Sequence, residues 1–319
     1  MRRRRLPATL LAAVACIVAL ALTSVGASAA GAATHYTVGT ALTGDAKWVS
    51  TPDADPAGVN TGCTPSAAHP RPVVLLEGTT SRIVASFDRL GPELANAGYC
   101  VYGLNYGSTS ITTETHGVVG AMGDIAASAR QLQTFVTQVR ARTGAAKVDL
   151  VGWSQGGGPM PRYYLQDLGG AKYVHSLVGL SPSNYGTTFF GVLTAINALE
   201  KLTGVPALDY SGAPAFQQQL DTDPFITHLN AHGDTVPGVS YTVIQTRYDD
   251  VVTPYTNAFL HGSGARNILL QDACPLDATD HLGIPYDDNA EQYVLNALGA
   301  NDPHFKPTCK AAAPGVGTL

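Results

Sequence analysis

The chain has 319 residues, in which 24 acidic residues outnumber 19 basic ones for a formal charge of −5. Its one basic cluster is Arg2, Arg3, Arg4 and Arg5 at the start, so the rest carries no electrostatic footprint for nucleic acid. There is no repeat and no low-complexity tract.

The four arginines precede an apolar run over about residues 8–25, followed by Ala27-Ser28-Ala29 as an A-x-A site. This order predicts a secretory signal peptide over residues 1–29; its apolar core is short for a membrane span, which argues against a stable membrane anchor. Removal of the leader takes Cys16 and four arginines, leaving 15 basic residues against 24 acidic. Residues 30–319, about 290 in all, suffice for a single α/β domain with a sizeable core. A secreted chain keeps Cys63, Cys100, Cys274 and Cys309, an even count that points to two disulfides. Of three pairings, Cys63–Cys100 and Cys274–Cys309 are favoured because each ties a peripheral segment to a nearby element. No C-x-x-C or clustered histidine spacing supports a metal site.

In chain order, 72–76 reads as a buried strand ending at Gly78, 82–97 as a helix and 99–104 as a second strand. Over 122–143 the apolar Ile125, Ala129, Leu132, Val136 and Val139 recur at helical spacing and define one buried face. Strands follow at 147–151, 174–180, 241–245 and 267–270, with helices over 159–168 and 290–298. Such alternation predicts a mostly parallel sheet with helices on both faces, and chemistry beyond the carboxyl ends of its strands. Residues 185–239, rich in Gly, Pro and Gln, fit the alternation poorly and read as a small cap or lid insertion.

Gly152-Trp153-Ser154-Gln155-Gly156 is the chain's one G-x-S-x-G string. In a chain with 34 glycines the string alone carries modest weight. Its context adds more, because it follows a β-branched strand and opens a helical segment, as a nucleophile elbow must. A serine hydroxyl is a weak nucleophile until a histidine takes its proton and a carboxylate orients that histidine. The chain order Ser, acid, His singles out His281, which lies between the last strand and the closing helix, whereas His261 comes too early and His304 too late. For the acid, Asp249 and Asp250 both follow the 241–245 strand and position alone does not separate them; Asp272, Asp277 and Asp280 are outside choices. Oxyanion donors are expected from the backbone N–H of Gln155 and, in the loop after the first strand, of Thr79.

Together these residues resemble the secreted bacterial lipases of the lipase class 2 family and are similar to fungal lipase B-type enzymes. The likeness runs from Tyr99-Cys100-Val101 and Asn105-Tyr106-Gly107 through Ser154-Gln155-Gly156-Gly157 and Pro161-Arg162-Tyr163-Tyr164. It continues through Leu180-Ser181-Pro182-Ser183 to Asp280-His281-Leu282-Gly283. The resemblance implies an α/β-hydrolase fold and selects Asp249, within Asp249-Asp250-Val251-Val252-Thr253-Pro254, as the acid. It supports Thr79 and Gln155 as oxyanion residues. It further implies a triacylglycerol or simpler ester substrate and no organic cofactor; a monomer that meets its substrate at a lipid–water interface is expected beside it. Two positions depart from the pattern. Trp153 stands where many relatives have His, and Glu77 stands where His commonly precedes the oxyanion glycine; Glu77 is either hydrogen-bonded structure or a charge that repels anionic substrates. The competing expectations are a polyester or cutin hydrolase of the same fold and a non-catalytic envelope-binding protein on that scaffold.

Overall fold

A computed structural model of the chain describes residues 34–188 and 212–319. The expected signal peptide and residues 189–211 of the expected cap lie outside the described residues.

The chain opens with helix α1 (Ala41–Ser50) and then builds a six-stranded parallel sheet from β1 (Val73–Leu76), β2 (Val101–Leu104), β3 (Val148–Trp153), β4 (Val174–Leu180), β5 (Ser240–Gln245) and β6 (Ala265–Leu269), in spatial order β2-β1-β3-β4-β5-β6. Strands β1 and β3 are buried along their whole length, as strands covered on both faces must be. Side-chain alternation sends Val74, Leu76, Tyr102, Leu150, Leu177 and Val243 to one face and Val73, Leu75, Val101, Val151, Val178 and Ile244 to the other, which gives two apolar cores.

The long helix over Ile125–Thr143 supplies Ile125, Ala129, Leu132, Val136 and Val139 to the first core, the face its periodicity predicted. Asp124 caps it by accepting the Ala127 N–H at 2.7 Å, and Gly144 ends it at a φ of 71°, a left-handed turn that glycine adopts without a Cβ penalty. The second core takes Leu90, Leu94, Val294 and Leu298 from the helices over Leu90–Asn96 and Asp288–Leu298.

The helix expected over 82–97 is two helices, Ile83–Phe87 and Leu90–Asn96. Pro92 explains the interruption: it has no N–H to donate, and its ring would strike the carbonyl of Asp88 in a continuous helix. The other unforeseen helices are α1 and short ones at Ser110–Glu114, Pro214–Gln218, Pro224–Asn230 and Leu270–Ala273, the last beginning at a residue expected in the final strand, and the chain ends in a hairpin of Ala312–Ala313 with Gly317–Thr318. Both favoured disulfides form, Cys63 with Cys100 and Cys274 with Cys309.

The topology positions the site. From β1 the chain moves outward to β2, then crosses back to the opposite side of β1 to make β3. Beyond the carboxyl ends of β1 and β3, where the direction of winding reverses, open parallel sheets leave a crevice. Thr79 and Ser154 follow those two strands.

Candidate active site

Ser154 follows β3 directly and begins a single 3-10 turn, Ser154–Gly157, before the helix over Pro159–Gln166. Its φ of 55° is a conformation that costs a non-glycine residue on the order of 1–2 kcal/mol, so the surroundings must hold it. The flanking glycines do so by close approach. A Cβ on Gly152 would lie 1.8 Å from the Gly156 carbonyl oxygen; one on Gly156 would lie 2.3 Å and 2.4 Å from the carbonyl oxygens of Glu77 and Leu76. The turn is therefore pressed against the end of β1, which brings the loop after β1 alongside Ser154.

His281 and Asp249 approach from later loops. The Nδ1 of His281 is 3.0 Å from Oδ2 of Asp249, and both residues are buried. The other oxygen, Oδ1, accepts the backbone N–H groups of Val251 at 3.0 Å and Val252 at 2.7 Å. Burial would by itself raise the Asp249 carboxyl. The adjacent His281 and the two backbone donors outweigh it and hold Asp249 below the ordinary carboxylate range. Asp250, its neighbour, is exposed and takes no part. Of the two residues that position alone left open, only Asp249 meets the histidine. With Nδ1 engaged, Nε2 is the ring nitrogen left for Ser154. Ser154 and His281 line one cavity of about 180 Å³ together with Thr79, Trp153, Phe216 and Gln219. Among the described residues no hydrogen bond joins Ser154 to His281, whose Nδ1 is held by Asp249.

Thr79 lies on the cavity wall, and its hydroxyl oxygen accepts two side-chain amides, Nε2 of Gln155 at 2.8 Å and Nε2 of Gln219 at 2.7 Å. Each amide is fixed the right way round by a backbone carbonyl that needs a donor: Ala121 O for Gln155 at 2.9 Å and Ala215 O for Gln219 at 2.9 Å. Gln219 is further held by the Ser183 hydroxyl, which donates to its Oε1 at 2.8 Å. Both lone pairs of the Thr79 hydroxyl are thus used, and its own proton is free to point into the cavity.

Gln219 went unnoticed in the sequence, since three consecutive glutamines carry no motif. Fold context separates them: Gln218 instead accepts the Ile125 N–H at 2.8 Å and donates to Asp124 at 2.7 Å, fixing the start of the long helix.

The two departures resolve differently. Trp153 lines the cavity, its ring centroid lies 5.3 Å from that of His281, and its indole N–H donates to the His281 carbonyl at 3.0 Å. Glu77 is fully buried and absent from the cavity wall. Its Oε1 accepts the Tyr106 N–H at 3.2 Å while the Tyr106 hydroxyl donates to its backbone carbonyl at 2.7 Å. Burial pushes this carboxyl well above the ordinary range, with Arg82 and the Tyr106 N–H offsetting only part of the effect. Glu77 is buried structure, with one carboxyl oxygen bonded to Tyr106 and the other without a partner, and it does not reach the cavity.

The sheet order, the strained serine after β3 and the acid–histidine pair define an α/β-hydrolase. The chain matches the model of the lipase (class 2) family over residues 70–293 and belongs to that family. Many solved structures share the fold, two of them as follows. Aspergillus fumigatus lipase B aligns with a TM-score of 0.57 at 21% identity, covering 78% of this chain and 57% of the fungal one. The mature form of Bacillus licheniformis lipase BlEst2 aligns with a TM-score of 0.54 at 16% identity, covering 75% and 96%. This chain thus spans little more than half the length of the fungal enzyme. No curated protein matches the sequence.

Proposed function

We propose that the protein is a secreted serine hydrolase that cleaves carboxylic esters, triacylglycerols foremost, through an acyl-enzyme. The observation that carries this reading is the Asp249–His281 pair, joined at 3.0 Å, with His281 on the same cavity wall as the strained Ser154.

In this reaction Nε2 of His281 takes the proton of Ser154 as Oγ attacks the ester carbonyl, while Asp249 keeps the ring in the Nδ1–H tautomer and offsets its positive charge. The carbonyl oxygen becomes an oxyanion received by the N–H groups of Gln155 and Thr79, with the oriented Thr79 hydroxyl as a third donor. His281 then protonates the departing alkoxide. Water attacks the acyl-Ser154 ester by the same route in reverse roles, and the acid leaves. All of this uses side chains and backbone of the chain itself.

Apolar cavity residues such as Trp153, Phe216, Val251 and Val252 favour an acyl chain over a charged substrate. Two disulfides suit an oxidising, extracellular compartment, which agrees with a leader over residues 1–29. Hydrolysis of p-nitrophenyl esters of increasing acyl length and of emulsified triacylglycerols, with Ser154→Ala as control, tests the reading. Turnover of long-chain glycerides that Ser154→Ala abolishes supports it; turnover of insoluble polyester alone, or full activity in the variant, refutes it.

A further inference from the structure

His281 rides on a loop whose two ends are marked by acidic residues, Asp277 and Asp287, and both are fully buried. The carboxylate of Asp277 is well supplied: Oδ1 accepts the Thr279 N–H at 3.0 Å and Oδ2 accepts the Asn289 side-chain amide at 3.0 Å. Asp287 is not. Its Oδ1 accepts the Asn289 N–H at 2.8 Å and the Thr318 hydroxyl at 3.2 Å, but its Oδ2 has no donor. Asn289 holds Asp277 and Asp287 side by side, its side-chain amide donating to Oδ2 of Asp277 and its backbone N–H to Oδ1 of Asp287, so the two buried carboxyls are neighbours and a proton on one would give it a bond to donate to the other. Between two carboxylates no such bond exists, and the buried Oδ2 would stay unpaired beside a like charge.

Among the described residues no cation relieves the pair. Around it, Asp288 is bound by Arg89 and Lys310, and Glu291 by Arg89 at 2.9 Å. On the loop itself, Oδ1 of Asp280 accepts the N–H groups of Gly283 at 2.7 Å and Gly315 at 2.8 Å. Lys310 contributes only its backbone, whose carbonyl accepts the Asn289 amide at 2.8 Å. Among the described residues neither Asp277 nor Asp287 has an ion-pair partner.

We propose that Asp277 and Asp287 hold one proton between them and that this proton fastens together the two ends of the loop carrying His281. The pair are positioning residues, acting on the reaction only through His281, and the inference rests on reading His281 as the catalytic base. Burial, then the facing Asp277, push the Asp287 carboxyl up to about 8. A carboxyl raised in the folded state holds its proton there while the unfolded chain, with a carboxyl near about 4, has lost it. The stabilising contribution is therefore full below about pH 4 and declines as pH rises, until it is gone above about pH 8. At the alkaline end Asp287 gives up its proton, the bond is lost, and the loop is released.

The test follows kcat on a short p-nitrophenyl ester and the thermal midpoint across about pH 6 to 10. Wild type is compared with Asp287→Asn, Asp277→Asn and Glu291→Gln. Asp287→Asn places an N–H where the shared proton sits and cannot lose it. In wild type the thermal midpoint is expected to fall from about pH 6 and level off above about 8, while kcat falls reversibly as pH rises through about 8; Asp287→Asn keeps kcat within about two-fold at neutral pH and flattens both. Asp277→Asn should be impaired at every pH, because one of its two oxygens that already accept N–H groups becomes a donor. Glu291→Gln serves as control, since Glu291 is likewise raised to about 8 by burial; it should retain the alkaline step. An unchanged alkaline midpoint in Asp287→Asn, or its absence in wild type, overturns the proposal. Should Asp287→Asn fail to fold, wild type decides: a reversible pH jump that removes activity while the far-UV signal stays intact supports the clamp, and unchanged activity refutes it. The thermal arm needs no turnover, so a step that follows Asp287 in a protein without esterase activity would keep the clamp and discard the catalytic reading.

Discussion

The indole N–H of Trp153 donates to the backbone carbonyl of His281 at 3.0 Å, so the residue just before the candidate nucleophile holds the residue that would activate it. The sequence places these residues far apart, and Trp153 reads there only as a neighbour of the pocket. In the fold it ties the carboxyl end of β3 to the His281 loop while its ring stacks on Gly78, where a Cβ would lie 2.7 Å from the indole.

Trp153→Phe keeps most of the apolar ring and removes the donor. A buried hydrogen bond of this kind is worth about 1–2 kcal/mol, so kcat should fall roughly ten-fold with KM changed less. Steady-state kinetics on one soluble ester decide it; a fall in KM-controlled binding with kcat intact would show that Trp153 shapes the pocket and does not steady His281.

Thr79→Val retains size and the backbone N–H but removes the hydroxyl that Gln155 and Gln219 orient. Loss of one oxyanion donor lowers kcat by about 10² to 10³. Gln219→Ala, which leaves the hydroxyl in place but half-oriented, should cost less, on the order of ten-fold. Because both act through one proton, the double variant should be little worse than Thr79→Val alone. Additive losses would mean that Gln219 contributes separately.

Asp249→Asn preserves shape and allows the wrong imidazole tautomer, and kcat should drop by about 10⁴. The same change has a stability signature. Asp249 is held below the ordinary carboxylate range, so its pairing stabilises the fold above about pH 4 and is lost as pH falls through its folded value. The stability gap between wild type and Asp249→Asn, measured by denaturant titration, should therefore close on acidification. A gap that widens in acid would contradict the pairing.

The glycines of the elbow separate in kind from those of ordinary turns. Gly156→Ala would force a Cβ against two backbone carbonyls that cannot move without disrupting β1, and soluble folded protein should be lost or destabilised by several kcal/mol. Gly144→Ala, at a φ of 71° but in open space, should cost only about 1–2 kcal/mol and keep activity. Comparable costs at both sites would show that the turn is not pressed against β1 as described.

What the sequence disclosed divides along the reach of each signal. Strands β1 to β6, the long helix over Ile125–Thr143 and the choice of His281 rested on local runs, periodicity and chain order, which a single chain displays openly. Pro92 was visible too, yet the apolar pattern around it masked the break it makes. Gln219, the Trp153–His281 bond and the Asp277–Asp287 pair were hidden because each depends on a contact between segments far apart in sequence. Asp249 and Asp250 show the boundary: position in the chain made them equal, the family resemblance favoured Asp249, and the physical reason is the turn that sends Asp249 inward and Asp250 to solvent.

The central claim is that Ser154 is the group that attacks. Treating the folded protein with a fluorophosphonate and mapping the adduct by peptide mass spectrometry tests it most directly. The account predicts one adduct per chain, on Ser154, formed in parallel with loss of esterase activity and slowed strongly in His281→Ala. Complete inactivation with Ser154 unmodified, or full labelling of Ser154 with activity unchanged, would contradict it.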